Sequence, residues 1–421
     1  MCCGAFVAIF CLKKYFVFTL WYSFPCVVTA VLFGGYMRFV FLSNYLSVHQ
    51  LSFCQNMYEK LGEDFSFIAT TGVNPLRLTQ GYSDINSQYD FVIRAYENPA
   101  QWQKAKKRID EADVVVIGSA PMQFVQKRLQ ENKLTFLYSE RLYKAGYQAW
   151  KLPVRLWRFW KKYGRYKSLY LLCASAYTAG DYAKTGTFLK KAYKWGYFPR
   201  TFCYDDVDAM IERKKSGTIL WTARFIDWKH PEHVLEVAKR LIRDGYHFQI
   251  KMLGNGALWN AFDRQIRELG LTDYVELTGA IPAEQVREYM DAASVFLLTS
   301  DRNEGWGAVL NESMNSACGV VASDAIGSVP FLLKDGENGL RYRSCDVDDL
   351  YEKVKYLLDN PDACRKMGKA AYETVTRLWN SETAVQRILQ LSETLLHGQK
   401  HPDLFCDGPC SRAKRLKGDA S

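Results

Sequence analysis

The chain has 421 residues, 48% of them hydrophobic and 24% charged, and a net charge of +10. This is globular composition at a length that predicts two domains. Twelve cysteines lie scattered with no CxxC pair, which excludes a disulfide-dense scaffold and argues against a structural zinc site.

In chain order, the first 36 residues stand apart. Residues 15–35 carry no charge and are flanked by Lys13, Lys14 and Arg38. That length permits a transmembrane anchor. The rival explanation makes Met37 the true start, because "MRFVFLSNYL" reads as the opening strand of an α/β domain. Strand-like runs then fall at 38–42, 65–68, 90–94, 114–117, 135–138 and 170–173, with helical patterns between them. After the polar stretch "DDVDAMIERKKSG" they resume at 218–222, 247–253, 275–277, 295–299 and 320–323. Alternating β and α patterns predict parallel sheets covered on both faces. The expected fold class is α/β, with two doubly wound Rossmann-like domains facing a cleft. Their expected bounds are 37–204 and 205–380, followed by a terminal helix at 381–397 and a basic, disordered tail at 398–421. The "CDGPC" of that tail suggests a small disulfide or a metal ligand pair, and neither carries a function.

The charge is concentrated. Residues 141–200 hold fourteen Lys or Arg against one acid, together with sixteen aromatics. The centre of the block, "WKLPVRLWRFWKKYGRYK", interleaves cations and aromatics in a helix-capable segment. That pattern suits a membrane surface, where cations meet anionic headgroups and Trp and Tyr settle at the interface. A solvated basic face over an aromatic core is the bland alternative, and nucleic acid is not the partner expected. The scattered thiols read as reduced, so a cytoplasmic, peripherally membrane-associated protein is expected.

The sequence "DRNEGWGAVLNE" spans 301–312 and follows a predicted strand. Gly305 and Gly307 let the backbone approach a ligand closely. A helix is expected to begin near Gly307, so its first free N–H groups form an anion site. Glu304 then precedes that site, and Glu312 lies about five residues into the helix, roughly 7.5 Å along its axis. Such an array matches a sugar, a diphosphate and a ribose in order. Arg224 and Lys229 lie in the loop after strand 218–222, at the same sheet edge, as cations for the diphosphate. The next strand ends in Gly254–Asn255–Gly256. In "VELTGAIPAEQV", Gly279 and Ala280 lie where backbone groups can grip a base.

These four elements resemble the GT-B glycosyltransferases of family 4, the retaining sugar transferases. The resemblance covers residues 217 to about 380. It implies that Arg224 and Lys229 hold the diphosphate, Glu304 contacts the donor sugar and Glu312 the ribose. Gly305, Trp306, Gly307 and Ala308 would supply amides. The family's common form has glycine before the Arg and after the Lys, where this chain has Ala223 and His230. A nucleotide-sugar donor is implied as substrate, with no metal or other cofactor, because the cations and the helix end meet the growing phosphate charge. The acceptor expected from the basic block is a lipid-linked glycan in cell-surface polysaccharide assembly.

In the first half, His49 follows the first strand and is either the base, an acceptor-binding group or structural. Glu140 and Arg141 end another strand and either face the cleft as acceptor residues or form a surface pair. A GT-B-fold sugar-nucleotide epimerase or hydrolase is the alternative enzyme class. A dehydrogenase is disfavoured, because "GNGALW" fails the last position of GxGxxG.

Overall fold

A computed structural model describes residues 7–12, 15–20, 28–31, 37–73, 84–144 and 152–416. Strands β1 (Val7–Leu12), β2 (Tyr15–Leu20) and β3 (Val28–Val31) pair antiparallel in a small sheet. Residues 15–20 and 28–31 are thus strands, not parts of the transmembrane helix that the length of 15–35 permits. Runs such as YFVFTL and VTAV are dominated by aromatic and β-branched residues, which favour pleated backbone. Among the described residues no helix is long and apolar enough to cross a membrane.

The first lobe comprises β4 (Phe39–Ser43), α1 (Val48–Leu61), β5 (Phe65–Ala69), β6 (Val92–Arg94), α2 (Pro99–Glu111), β7 (Val114–Ile117), α3 (Gln126–Gln130), β8 (Thr135–Ser139), α4 (Leu152–Phe159), β9 (Leu169–Cys173), α5 (Thr178–Ala183) and β10 (Ala192–Lys194). Its seven strands are parallel in the order β10-β9-β8-β7-β4-β5-β6. Strands such as FVFLS and VVVI are buried at every position, as a parallel sheet covered on two faces requires.

The second lobe comprises α6 (Val207–Glu212), β11 (Lys215–Thr222), α7 (Pro231–Arg243), β12 (Gln249–Leu253), α8 (Trp259–Glu268), β13 (Val275–Gly279), α9 (Ala283–Ala292), β14 (Ala293–Leu298), α10 (Val309–Asn315), β15 (Gly319–Ser323), α11 (Val329–Leu332), β16 (Leu340–Tyr342), α12 (Val347–Asp359) and α13 (Pro361–Arg377). Its six parallel strands run β13-β12-β11-β14-β15-β16. Both sheets are Rossmann-like, and each order reverses once, between β4 and β7 and between β11 and β14. Ligands of such sheets bind where the order reverses, beyond the carboxyl ends of the strands.

The lobes are joined by an apolar contact. The buried Trp306 ring of the second lobe lies on Gly196 of the first, where an added Cβ would stand 2.2 Å from the indole. Only glycine fits that approach. The Ala176 amide donates to the Gly327 carbonyl at 2.8 Å, and the Tyr177 hydroxyl donates to the Asp324 carbonyl.

The chain then returns to its first lobe. Helix α14 (Ser381–Leu396), capped by the Asn380 side chain, packs on α1, and Asn56 Nδ2 donates to Ser381 Oγ at 2.8 Å. Beyond it, residues up to 416 are ordered, which corrects the expected disordered tail. The Lys194 amide donates to the Ser411 carbonyl at 2.7 Å, and the Cys410 amide to the Lys194 carbonyl at 2.8 Å. Strand β10 is a sheet edge, and its unpaired backbone groups give the tail a template. Asp407 pairs with Lys194 at 2.5 Å. Cys406 and Cys410 are both free thiols. Residues 417–421 lie outside the described residues.

Candidate active site

Two loops leave adjacent strands at the switch point of the second sheet: 223–230 after β11 and 299–308 after β14. They are stitched together by three hydrogen bonds, the first of them buried. Trp221 Nε1 donates to Thr299 Oγ1 at 2.8 Å, Thr299 Oγ1 donates to the Lys229 carbonyl at 2.6 Å, and the Asp301 amide donates to the Trp228 carbonyl at 3.1 Å. The register so fixed sets Lys229 Nζ in a direct ion pair with Glu304 Oε2. Their side chains are only 12% and 13% exposed, so water screens the pair little. Ser300 Oγ donates to the same carboxylate at 3.3 Å.

Arg224 is exposed, and its guanidinium stands 5.8 Å from the Trp228 ring, while Lys229 Nζ stands 4.5 Å from the same ring. One indole therefore serves both predicted cations. The surface pair of Arg224 with Asp227 does not form among the described residues. Sequence reasoning passed over Trp228, although an aromatic directly before Lys229 was a visible signal.

His230 adopts the left-handed conformation, φ 49°. It stands where the resembled family has glycine, and it takes the backbone geometry that glycine takes freely.

The glycines serve the loops first. An added Cβ at Gly254 would lie 1.9 Å from the Ala223 carbonyl, and one at Gly256 would lie 2.4 Å from that of Phe225. These residues let the turn after β12 pass beneath the cation loop. The Gly254 amide donates to the Gly279 carbonyl at 2.9 Å. Gly307, at φ 80°, holds the chain out of helical geometry, so α10 starts at Val309 with Ala308 as its cap. Glu312 is then the fourth residue of a seven-residue helix, nearer its start than expected. Burial raises its carboxyl above the ordinary value, with the Arg287 charge opposing. The Trp306 indole is not offered to a ligand. It is buried in the lobe contact and donates to Asn311 Oδ1 at 2.9 Å.

From the first lobe, Glu140 reaches this loop. An added Cβ at Gly305 would fall 2.0 Å from Glu140 Oε2, so the carboxylate lies directly against the backbone of the 299–308 loop. Tyr197 Oη donates to Glu140 Oε1 at 2.5 Å and Lys144 Nζ to Oε2 at 2.7 Å. His49 stacks on the Tyr197 ring at 5.6 Å and 7°. The structure thus groups His49 and Glu140 through Tyr197, a residue that no sequence motif marked. Arg141 goes elsewhere. Its side chain is buried, Nε stands 3.8 Å from Asp181 Oδ2, and the guanidinium covers the Tyr177 ring at 4.7 Å. Asp181 also accepts from the Leu142 and Tyr143 amides at 3.0 and 3.2 Å. Arg141 therefore does not form a surface pair with Glu140, but with Asp181 makes an internal brace under the Glu140 loop.

The basic aromatic block begins beside that loop. On α4 and the turn after it, Val154 and Trp157 are each 62% exposed and Trp160 is 58% exposed, with Arg158, Lys161 and Lys162 exposed among them. The Arg155 guanidinium covers the Tyr143 ring at 5.1 Å, which ties this surface to the Glu140 loop. Trp150 and Lys151 lie outside the described residues.

Comparison with known proteins agrees with this architecture. Trehalose synthase from Thermococcus litoralis is 31% identical over 183 residues, which are 41% of this chain and 43% of that protein. The chain thus spans less than half the length of that relative. The crystal structure of HepE from Anabaena, in complex with UDP, superposes with a TM-score of 0.62 over 85% of this chain and 100% of that one, at 15% identity. Sucrose-phosphate synthase from Thermosynechococcus elongatus gives a TM-score of 0.62 over 86% and 100%, at 16% identity. The two-lobed fold is that of GT-B glycosyltransferase structures, and residues 207–374, which contain the whole second sheet, match the family model "Glycosyl transferases group 1".

Proposed function

We propose that this protein is a retaining glycosyltransferase of family 4, which moves a sugar from a nucleoside diphosphate sugar to an acceptor carried at the cytoplasmic face of a membrane. The observation that carries the reading is the convergence of Arg224, Lys229 and Glu304 on the switch point of the second sheet. A diphosphate there draws Lys229 from its pair with Glu304, and the exposed Arg224 adds a bidentate contact. The freed Glu304 carboxylate accepts hydrogen bonds from the donor sugar, and Glu312 accepts from the ribose. As the bond from the anomeric carbon to the diphosphate breaks, negative charge grows on the departing oxygen, where two cations stand ready. The acceptor oxygen then bonds to that carbon from the same face while its proton passes to the departing diphosphate oxygen, and no covalent sugar–enzyme intermediate forms. Neutralisation by Arg224 and Lys229 leaves the step without need of a metal. Glu140, held by Tyr197 and Lys144, faces this point from the first lobe and receives the acceptor hydroxyl.

The exposed Trp157, Trp160, Lys161 and Lys162 support a lipid-linked acceptor of the kind used in cell-surface polysaccharide assembly, since apolar rings and cations together favour an anionic bilayer surface.

Thermal shift against UDP-, GDP- and ADP-sugars tests the donor site, because a ligand that binds the native state raises its melting temperature. One donor class is expected to stabilise the protein and to lose that effect in Lys229→Ala. A flat response to all three would overturn the reading. Retention is read from the anomeric configuration of the product, and metal independence from activity in EDTA.

A further inference from the structure

The residue after Lys229 departs from the resembled family. Where that family has glycine, this chain has His230, held at φ 49° and ψ 54°. A residue with a Cβ is disfavoured there, and such residues cluster at functional sites. The imidazole so placed stands between two carboxylates from different elements.

Glu232 and His233 face it from the first turn of α7, Asp301 from the loop after β14 and Cys345 from the segment after β16. The nearest cation of its own loop, Lys229, is paired with Glu304. His230 Nδ1 donates to Glu232 Oε1 at 2.7 Å, since a carboxylate only accepts. On the opposite edge of the ring, Nε2 lies 3.6 Å from Asp301 Oδ2 and 3.7 Å from Cys345 Sγ. A neutral imidazole has one N–H, and Glu232 takes it. The Nε2 lone pair would then face the Asp301 carboxylate. A second proton turns that repulsion into attraction.

The surroundings favour that proton on His230. The hydrogen bond to Glu232 raises its pKa above the ordinary value, burial opposes the rise, and the Glu232 and Asp301 charges add to it. The His233 ring stacks on it at 4.7 Å and 5°, and burial together with the His230 charge lowers the His233 pKa. One ring of the stack is therefore charged and the other neutral. The His230 charge is complete below about pH 6.5 and is lost as pH rises through the raised value.

Asp301 carries the effect to the other loop. Its amide donates to the Trp228 carbonyl at 3.1 Å, and its carbonyl accepts from the Glu304 amide at 3.1 Å. The Asn303 amide holds its carboxylate through Oδ1 at 2.8 Å. A pull on Asp301 is thus a pull on the turn that bears Glu304, and His230 adjoins Lys229 in the chain.

We propose that His230 is a positioning residue: as an imidazolium it bridges Glu232 and Asp301, and so clasps the Lys229 loop to the Glu304 loop in the arrangement that receives the donor. The consequence for the donor rests on the function proposed above. The clasp itself does not.

The test has two arms, and the first needs no donor. In the full chain with 13C at histidine Cε1, six resonances are expected, and the one absent from His230→Asn belongs to His230. Its midpoint should lie above about 6.5, and both Asp301→Asn and Glu232→Gln should move it down. Far-ultraviolet circular dichroism checks that the variants fold. A midpoint at or below about 6.5, or one that both variants leave unmoved, overturns the proposal. In the second arm, the affinity for the nucleotide sugar that stabilises the protein should weaken about tenfold as pH rises from about 6 to about 8.5. In His230→Asn, which tolerates the left-handed backbone, it should be weak and flat over the same range, with KM changed more than kcat. The same pH dependence in His230→Asn as in the parent chain overturns the positioning role. Absence of binding by any nucleotide sugar sinks the donor reading, and the first arm alone then judges the clasp.

Discussion

The two switch points are built by the same sheet order and yet differ in kind. In the second lobe the site is made of short-range pattern: a cation loop, a glycine turn and a Glu-bearing loop, stitched by backbone and buried hydroxyls. In the first lobe it is made of side chains from three separated segments, where His49, Tyr197 and Glu140 meet through ring stacking and one 2.5 Å hydrogen bond. A diphosphate demands concentrated positive charge and close backbone approach, and few residue types supply those. An acceptor hydroxyl demands only a well-placed carboxylate, and many chain paths supply one.

That contrast can be broken by mutation. The largest expected effect is at the donor side. Lys229→Ala and Glu304→Ala each remove a charge at the proposed reacting centre and should lower kcat/KM by about 10²- to 10³-fold. Initial rates at varied donor concentration check this, and near-normal turnover in either would dissolve the asymmetry. Trp306→Ala should act on both lobes at once. Emptying a buried indole site costs about 3–5 kcal/mol, read as a lower denaturation midpoint, whereas a change confined to activity would mean that the ring does not hold the lobes together.

On the acceptor side, Glu140→Gln keeps shape and removes charge. A loss of about 10²-fold in transfer is expected, with donor affinity by thermal shift unchanged. If donor affinity falls equally, Glu140 belongs to the donor site and the division between lobes is wrong. The smallest effect is at the surface. Replacing Lys161 and Lys162 by Glu should weaken co-sedimentation with anionic liposomes about tenfold or more, at about 1 kcal/mol per cation. Turnover of a water-soluble acceptor should not change.

Legibility follows the same line. Long apolar strands were visible in the sequence because parallel sheets bury both faces, as in VVVI of β7. The edge strands β10 and β16 were not, because AYK and LRY carry no apolar run, whereas the equally short β6 sits within the run DFVIR. Arg224, Lys229 and Glu304 were visible through spacing. Tyr197 was not, because its role comes from a contact with Glu140 that spans 57 residues of chain. Residues 15–20 and 28–31 are strands rather than the helix that 15–35 permits, because a count of uncharged residues cannot separate a helix from aromatic-rich strands. The tail failed because average polarity hides the backbone groups that β10 leaves open.

The path of the last forty residues has one more consequence. The second lobe is a single continuous stretch of chain, whereas the first is assembled from the stretches on either side of it, with α14 on α1 and residues 407–413 along β10. Two covalent connections therefore cross between the lobes, near 200–214 and near 378–381. Two tethers restrict relative motion to a swing about the line that joins them, where one would allow free tumbling. The lobe made first therefore cannot be finished until residues 381–413, made after the whole second lobe, have joined it.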